Sequence, residues 1–248
     1  MVSKNKLGIF VTCFDEVDAI TYALNSVNKI YSKIPIYLNC EGTVDFSHLE
    51  KELNISINYV EDTLSNVLNI TEYNFKEQQN QKFIKKATIA TIDRIDKSIE
   101  FLNSEYILLH CSDTLIRGPI TIPKNSHLLG SRVNKYFFPK VNDILIRNGG
   151  IKVTAFGAVP AIFKVQEYLI ARDKFIPLVD EFCSNFYAMF SHDVLMSVLF
   201  SLIGYEEEYN SEIVECTRNS NWKNTQHPLV HQFREFYPVR KGKYGVSN

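Results

Sequence analysis

The sequence predicts one α/β domain with a mostly parallel central sheet flanked by helices, and two observations carry this prediction. Short apolar runs of strand length alternate with helical patterns from residue 7 to residue 110, which is typical of βαβ units. Of the 248 residues, 45% are apolar, which is enough to bury one sizeable core. Since neither an internal repeat nor a low-complexity linker divides the chain, we expect a single domain over 1–240 and a flexible tail over 241–248.

The predicted strands of the first half are continuous apolar runs, as expected for strands covered on both faces. Residues 7–13 read LGIFVTC, in which β-branched and aromatic residues favour a strand. Residues 16–30 carry apolar side chains three and four apart, which is the spacing of an amphipathic helix. The predicted strands are 7–13, 34–40, 55–60 and 106–110, and the predicted helices are 16–30, 46–53 and 82–102.

The second half is less regular than the first. An apolar segment covers 151–163, and helical spacing predicts helices over 161–172 and 192–203. The polar stretch 61–80 and the segment HPLVHQF, which begins at His227, carry no clear period. We therefore expect the first half to define the sheet and the second half to cover it.

Composition excludes several classes of function. Lys and Arg total 27 against 28 for Asp and Glu, so the surface lacks the basic excess that nucleic-acid binding needs. No apolar run is long enough to cross a bilayer. The five cysteines are widely spaced without a zinc pattern, and they predict free thiols in a reducing, cytoplasmic compartment.

Polar residues follow three of the predicted strands, at 12–16, 41–45 and 110–113. In open parallel sheets, ligands bind beyond the carboxyl ends of the strands, where the strand order reverses. Three polar clusters at one edge of a sheet are what a nucleotide site requires. We therefore expect the site to lie there.

These polar clusters carry a resemblance to family-2-like GT-A glycosyltransferases. FVTCFDEVDAITYALNSV and IYLNCEGTVD resemble the opening of that family, in which the second strand ends in an Asp-Asp-Gly-Ser-like turn. EYILLHCSDTLIRGPI resembles the strand that ends in the Asp-x-Asp motif, and FSHDVLMSVLFSLIGYEEEY resembles a later helix opened by an acidic pair. The resemblance implies a GT-A (Rossmann-like) fold, with a nucleotide-sugar-binding half over 1–115 and an acceptor-binding half over 116–240. It also implies sugar transfer from a nucleotide-sugar to an acceptor hydroxyl, with inversion.

The resemblance assigns a divalent cation, Mn²⁺ or Mg²⁺, to Asp113, with His231 or His227 as a late histidine ligand and His231 as the better fit. Asp113 supplies the oxygen that these ions prefer, although it could simply begin a turn. Cys111 stands at the first acidic position of the motif, where a thiol is a poor ligand for a hard cation. The predicted donor-binding residues are Thr12, Asp15, Glu41, Lys85, Cys111, Ser112 and Asp113.

The resemblance also proposes Asp193 as the general base. A carboxylate at that position would take the proton of the acceptor hydroxyl during an inverting attack. The alternative is that Asp193 only stabilises the start of a helix, with Ser191 as its N-cap. His192 stands at the first acid of the family's pair. His192 and Gly157 are the predicted acceptor-binding residues, and Gly149-Gly150 could belong to the same loop or to a turn.

The expected partners are a nucleotide-sugar, UDP-sugar first among them, and a glycan, lipid-linked or small-molecule acceptor. A lipid-linked acceptor would bring the protein to a membrane surface. Two other functions stay open at this point. Cys111 and His192 favour a non-catalytic nucleotide-sugar-binding relic of the fold. A sugar nucleotidyltransferase is the second, although VTCFDEVDA lacks the Gly-rich loop with a basic residue that such enzymes use.

Overall fold

The structure is a computed structural model that describes residues 5–13, 16–40, 44–53, 55–59, 80–131, 138–154, 160–215 and 225–231. The strands are β1 Asn5–Cys13, β2 Ile36–Cys40, β3 Ser56–Tyr59, β4 Ser104–Cys111, β5 Thr114–Ile116, β6 Leu128–Gly130, β7 Ala161–Lys164, β8 Glu208–Tyr209, β9 Ile213–Glu215 and β10 Leu229–His231. The helices are α1 Val17–Ile30, α2 Ser47–Leu53, α3 Gln81–Leu102, α4 Pro139–Arg147, α5 Val165–Phe175, α6 Val179–Asn185 and α7 His192–Leu202. None of the helices in these ranges is long and apolar enough to cross a membrane.

Seven strands form the main sheet in the order β3-β2-β1-β4-β7-β6-β8. The first four strands of that order run parallel, and β7 joins the sheet antiparallel to β4. The chain moves outward from β1 to β2 and β3, and then returns through α3 to place β4 on the other side of β1. The strand order therefore reverses between β1 and β4, which is the position where open α/β sheets bind ligands.

The sheet is buried on both faces because successive side chains of each strand point to opposite sides. On one face, Phe10, Ile107 and Leu109 belong to the core that also contains α3 to α7. On the other face, Ile9 and Leu108 belong to the core that contains α1 and α2. This two-sided burial explains why the strands are continuous apolar runs, and it confirms the predicted α/β class with a mostly parallel sheet.

A second, three-stranded sheet extends the carboxyl edge of the first. The turn Ser112-Asp113 connects β4 to β5, which pairs antiparallel with β10, so that Thr114 lies opposite His231. Strand β9 pairs with the other side of β10. The Ser26 hydroxyl of α1 accepts a hydrogen bond of 3.0 Å from the Ile116 amide and ties β5 to the helix.

The elements predicted in the first half are confirmed within a few residues, but the helix predicted over 161–172 begins too early. Ala161–Lys164 is strand β7, and the helix starts at Val165. The four residues pair with β4, with Lys164 opposite Tyr106. A short apolar run has no period that separates a strand from the first turn of a helix, so pairing with β4 decides its conformation.

The pair Gly149-Gly150 forms the turn that follows α4, which is the second of the two roles considered for it. Gly149 has a φ of +75° and open space around its Cα. At Gly150, a Cβ would lie 2.6 Å from the Ser201 carbonyl oxygen and 2.9 Å from the Leu202 Cα. Gly150 therefore allows the turn to pack against the end of α7. Gly157 lies outside the described residues.

This turn gives a matched pair of stability predictions. Gly150→Ala forces backbone atoms apart and should lower the free energy of unfolding by about 3 kcal/mol. Gly149→Ala strains only its own backbone and should cost about 1 kcal/mol. Urea unfolding of both variants measures the difference, and equal midpoints would contradict the close contact between the turn and α7.

Candidate functional site

The candidate site lies at the carboxyl ends of β1 and β4, where the strand order reverses. The parallel register places Thr12 beside Cys111, with the Thr12 Oγ1 and Cys111 Sγ atoms 4.0 Å apart. The Cys111 amide donates a hydrogen bond of 3.4 Å to the Thr114 hydroxyl, which helps close the turn between β4 and β5. Ser112 is buried in this turn, and Asp113 is directed toward β10.

Cys111, Asp113 and His231 form a group that could hold a metal ion. The Asp113 Oδ1 and His231 Nε2 atoms are 3.2 Å apart, and the two side chains are only 15% and 12% exposed. The ligand atoms of all three residues lie within 4.8 Å of one another. The two metal ligands that the sequence predicts are therefore neighbours, and Cys111, which was predicted to contact the donor, lies beside them.

One carboxylate oxygen, one imidazole nitrogen and one thiol sulfur are a donor set that fits a divalent ion of the first transition row or zinc. Burial raises the pKa of the Cys111 thiol well above its usual value, and the carboxylates of Asp113, Asp193 and Glu16 raise it further. Without a cation the thiol is therefore protonated at neutral pH. The same influence shows that four of the polar groups around β4 share one electrostatic environment.

Asp193 lies in the first turn of α7, and two hydrogen bonds hold its carboxylate. The Ser191 hydroxyl and the Val194 amide both donate to Asp193 Oδ1, the second over 3.0 Å. Burial raises the pKa of Asp193 in spite of these bonds, which lower it together with His231. Ser191 does not cap the helix with its side chain, since its hydroxyl is directed to Asp193. The Asp193 carboxylate is thus oriented and is biased toward the protonated form.

His192 lies behind the site in a narrow cleft. The cleft, which it shares with His110, Phe10 and Thr12, has no room for a water molecule. Its ring is edge-on to Phe10 with centroids 6.3 Å apart, and its Nε2 atom is buried without a hydrogen-bond partner among the described residues. Burial lowers the pKa of His192 to about 4, with Arg94 adding to the effect. His192 is therefore neutral at pH 7, and its predicted contact with an acceptor stays a prediction.

The other predicted residues are placed as follows. Lys85 forms an ion pair of 2.7 Å with Asp180 at the surface, and its predicted contact with the donor phosphates stays a prediction. Asp15 and Glu41 lie outside the described residues, as does Gly157. Asp45, in the same polar cluster as Glu41, accepts a hydrogen bond of 2.8 Å from the Ser47 amide at the start of α2.

Two residues near the site were missed in the sequence analysis, Arg94 and His110. Arg94 is buried, and its charge reaches His192 from α3. Burial lowers the pKa of His110 to about 3, so this histidine is also neutral. A signal for Arg94 was available, because helical spacing places it three residues after Thr91 on the buried face of α3. His110 gives no such signal, since it ends an apolar strand.

Comparisons with known proteins give a fold but no family. No family model matches the sequence, and no curated protein matches it. The apo structure of the bifunctional glycosyltransferase WbbM is similar over 93% of this chain, with 12% identity and a TM-score of 0.50, and this chain spans 46% of the WbbM chain. An active-site mutant of LgtC is similar over 90% of this chain and 86% of its own, with 10% identity and a TM-score of 0.50. The chain thus has the GT-A fold of glycosyltransferases.

The buried His192 makes a pH prediction. Its pKa is about 4 in the folded protein and 6.5 in a free side chain, so between these values the unfolded state binds the extra proton. Stability is then lost as the pH falls from 6.5 to 4. His192→Asn should remove about 1.4 kcal/mol per pH unit from this slope. Urea unfolding from pH 4.5 to 8 measures it. The two proteins should have the same slope above pH 7, and parallel curves below pH 6 would contradict a neutral, buried His192.

Proposed function

We propose that this chain is a glycosyltransferase that moves a sugar from a nucleotide-diphosphate-sugar to an acceptor hydroxyl. The observation that carries the proposal is the group Cys111, Asp113 and His231, located at the carboxyl edge of β1 and β4 in a GT-A fold. Two of these residues come from opposite ends of the chain, and they converge on the edge where α/β sheets bind ligands. A purely structural role would not require a half-buried carboxylate at this edge.

The proposed role of the group is to receive the donor diphosphate. Asp113 and His231 would hold a divalent cation, Mn²⁺ or Mg²⁺ by the resemblance, with Cys111 beside them. The ion would supply positive charge against the negative charge that develops on the leaving diphosphate. The tight turn at Ser112 fixes the direction of Asp113, and the pairing of β5 with β10 fixes His231 opposite it.

The nucleoside would lie over the ends of β1 and β2. Thr12 is at the end of β1 and partly exposed, next to Cys111. We propose that Thr12 contacts the base, with Asp15 nearby, and that Glu41 accepts hydrogen bonds from ribose hydroxyls. Uridine is the proposed base, and Lys85 would turn from Asp180 toward the phosphates when a donor binds.

Asp193 is the proposed general base, and its environment supports that role. A general base works best when its pKa lies near the operating pH, and burial moves the pKa of Asp193 upward from the usual carboxylate value. The Ser191 hydroxyl and the Val194 amide orient it. Asp193 would take the proton of the acceptor hydroxyl while the oxygen attacks the anomeric carbon, and the product would have the inverted configuration.

The second candidate is a protein of the same fold that binds a nucleotide-sugar without turning it over. Cys111 at the first acidic position and His192 before Asp193 favour this candidate, because both positions carry acids in the family that the sequence resembles. The two candidates predict the same donor binding and differ in turnover. The acceptor is proposed to be a glycan, a lipid-linked sugar or a small molecule in the cytoplasm.

Donor binding is the first test. UDP-, GDP- and dTDP-sugars should be compared by their effect on the melting temperature, with and without Mn²⁺ or Zn²⁺. At about 100 times the dissociation constant a donor adds about 2.7 kcal/mol of stability, and the UDP-sugar should show this effect only with a metal present. Asp113→Asn should abolish it, while Asp143→Asn on the exposed side of α4 should not. The absence of a shift with every donor and metal would contradict the donor site.

Turnover is the second test. Asp193→Asn should lower kcat for donor consumption by about 10²–10⁴, because it removes the proton acceptor. Donor binding, read from the melting temperature, should stay within a few-fold of the unsubstituted protein. If the unsubstituted protein binds the donor and shows no turnover with any acceptor, the non-catalytic candidate is correct.

A further inference from the structure

We infer that the group Cys111, Asp113 and His231 selects a thiophilic divalent ion, Zn²⁺ or Co²⁺, over the Mg²⁺ or Mn²⁺ that the resemblance implies. The inference rests on the proposed function for the role of the ion at this site. It concerns a property that the proposed function does not determine, namely which metal the chain binds. It depends on the identity and position of one residue, Cys111.

The geometry suits ligation by all three residues. Around a tetrahedral zinc ion, bonds of about 2.0–2.3 Å place neighbouring ligand atoms roughly 3.3–3.7 Å apart. Asp113 Oδ1 and His231 Nε2 are already at 3.2 Å. The Cys111 sulfur lies within 4.8 Å of both atoms, so rotation of its side chain by about 1 Å would complete the set. No strand has to move.

The backbone fixes the sulfur in this position. Cys111 is the last residue of β4, hydrogen-bonded into the parallel register with β1 and closed by the bond from its amide to Thr114. Its thiol contacts the Thr12 hydroxyl at 4.0 Å, which is a weak contact. The side chain can therefore leave that contact at little cost and bind an ion held by Asp113 and His231.

The donor set decides the selectivity. Mg²⁺ prefers six oxygen ligands, and a sulfur in the first shell gives it little. Thiolate and imidazole are the ligands that zinc prefers, and three protein ligands with an open fourth position are typical of catalytic zinc sites. The fourth position would take a diphosphate oxygen of the donor. As the metal–sulfur bond forms, the thiol proton passes to the solvent, so that charge and protons balance.

Cobalt spectroscopy tests the inference directly. Zinc outbinds manganese at almost any site with nitrogen and oxygen ligands, so the ratio of the two affinities is not sufficient evidence. Co²⁺ added to the full chain should instead produce a thiolate-to-cobalt charge-transfer band in the near ultraviolet, together with strong visible bands of tetrahedral cobalt. Zn²⁺ should displace the cobalt at one equivalent. A cobalt complex without the thiolate band would overturn the inference.

Three variants make the test specific. Cys111→Ser should remove the thiolate band and weaken Zn²⁺ binding by about 10–100-fold. Cys111→Asp restores an oxygen ligand and should lower the ratio of Zn²⁺ to Mn²⁺ affinity by at least about tenfold. Cys183→Ala is the control, because Cys183 is buried in α6 against Thr88 at 3.5 Å, away from the group. It should leave the band unchanged, and loss of the band in Cys183→Ala would overturn the assignment to Cys111.

The outcomes separate this inference from the proposed function. A thiolate band without any nucleotide effect on the spectrum would support the metal selectivity and contradict the donor site. Donor binding that requires Mg²⁺ and persists in Cys111→Ser would support the donor site and overturn the selectivity. A band that shifts on addition of UDP would support both, since it shows the diphosphate entering the coordination shell of the ion.

Discussion

The pairing of β10 with β5 is the contact on which the candidate site depends. It places His231 opposite Thr114 and its imidazole 3.2 Å from the Asp113 carboxylate, although the two residues come from opposite halves of the chain. Neither strand exceeds three residues, and neither would be stable alone. Packing of β5 on α1 and the buried Leu229 and Val230 hold the pair in place. The small sheet therefore carries the second half of the site onto the edge that the large sheet provides.

The large sheet contributes the other half through its register. Parallel pairing of β1 with β4 aligns Thr12 and Cys111, so the two polar strand ends are neighbours before any ligand arrives. Apolar residues bury both strands on both faces, and the polar residues are concentrated at the ends. Burial also sets the protonation of the site. It raises the pKa of Asp193 and keeps His192 neutral, so that the charges left to a ligand are few and directed.

The sequence was sufficient to predict the sheet and the site residues on its edge, because both depend on long, regular signals. Each strand of the parallel half is a buried apolar run, and Asp113 follows one of them directly. The strands of two to four residues were not predicted, since β5, β8 and β10 are too short to show a period of two. The helix predicted from residue 161 started in what is strand β7, because only pairing with β4 distinguishes the two. The proximity of His231 to Asp113 came from the resemblance and not from spacing, and Arg94 was overlooked although it lies on the buried face of α3.

The most direct test of the central claim is an anomalous diffraction measurement on crystals grown with UDP and Zn²⁺. We predict an anomalous peak within bonding distance of Cys111 Sγ, the Asp113 carboxylate and His231 Nε2, with the diphosphate of UDP in contact with the same ion. An ordered nucleotide bound away from the ends of β1 and β4 would contradict the account. So would a metal peak that excludes Asp113 and His231.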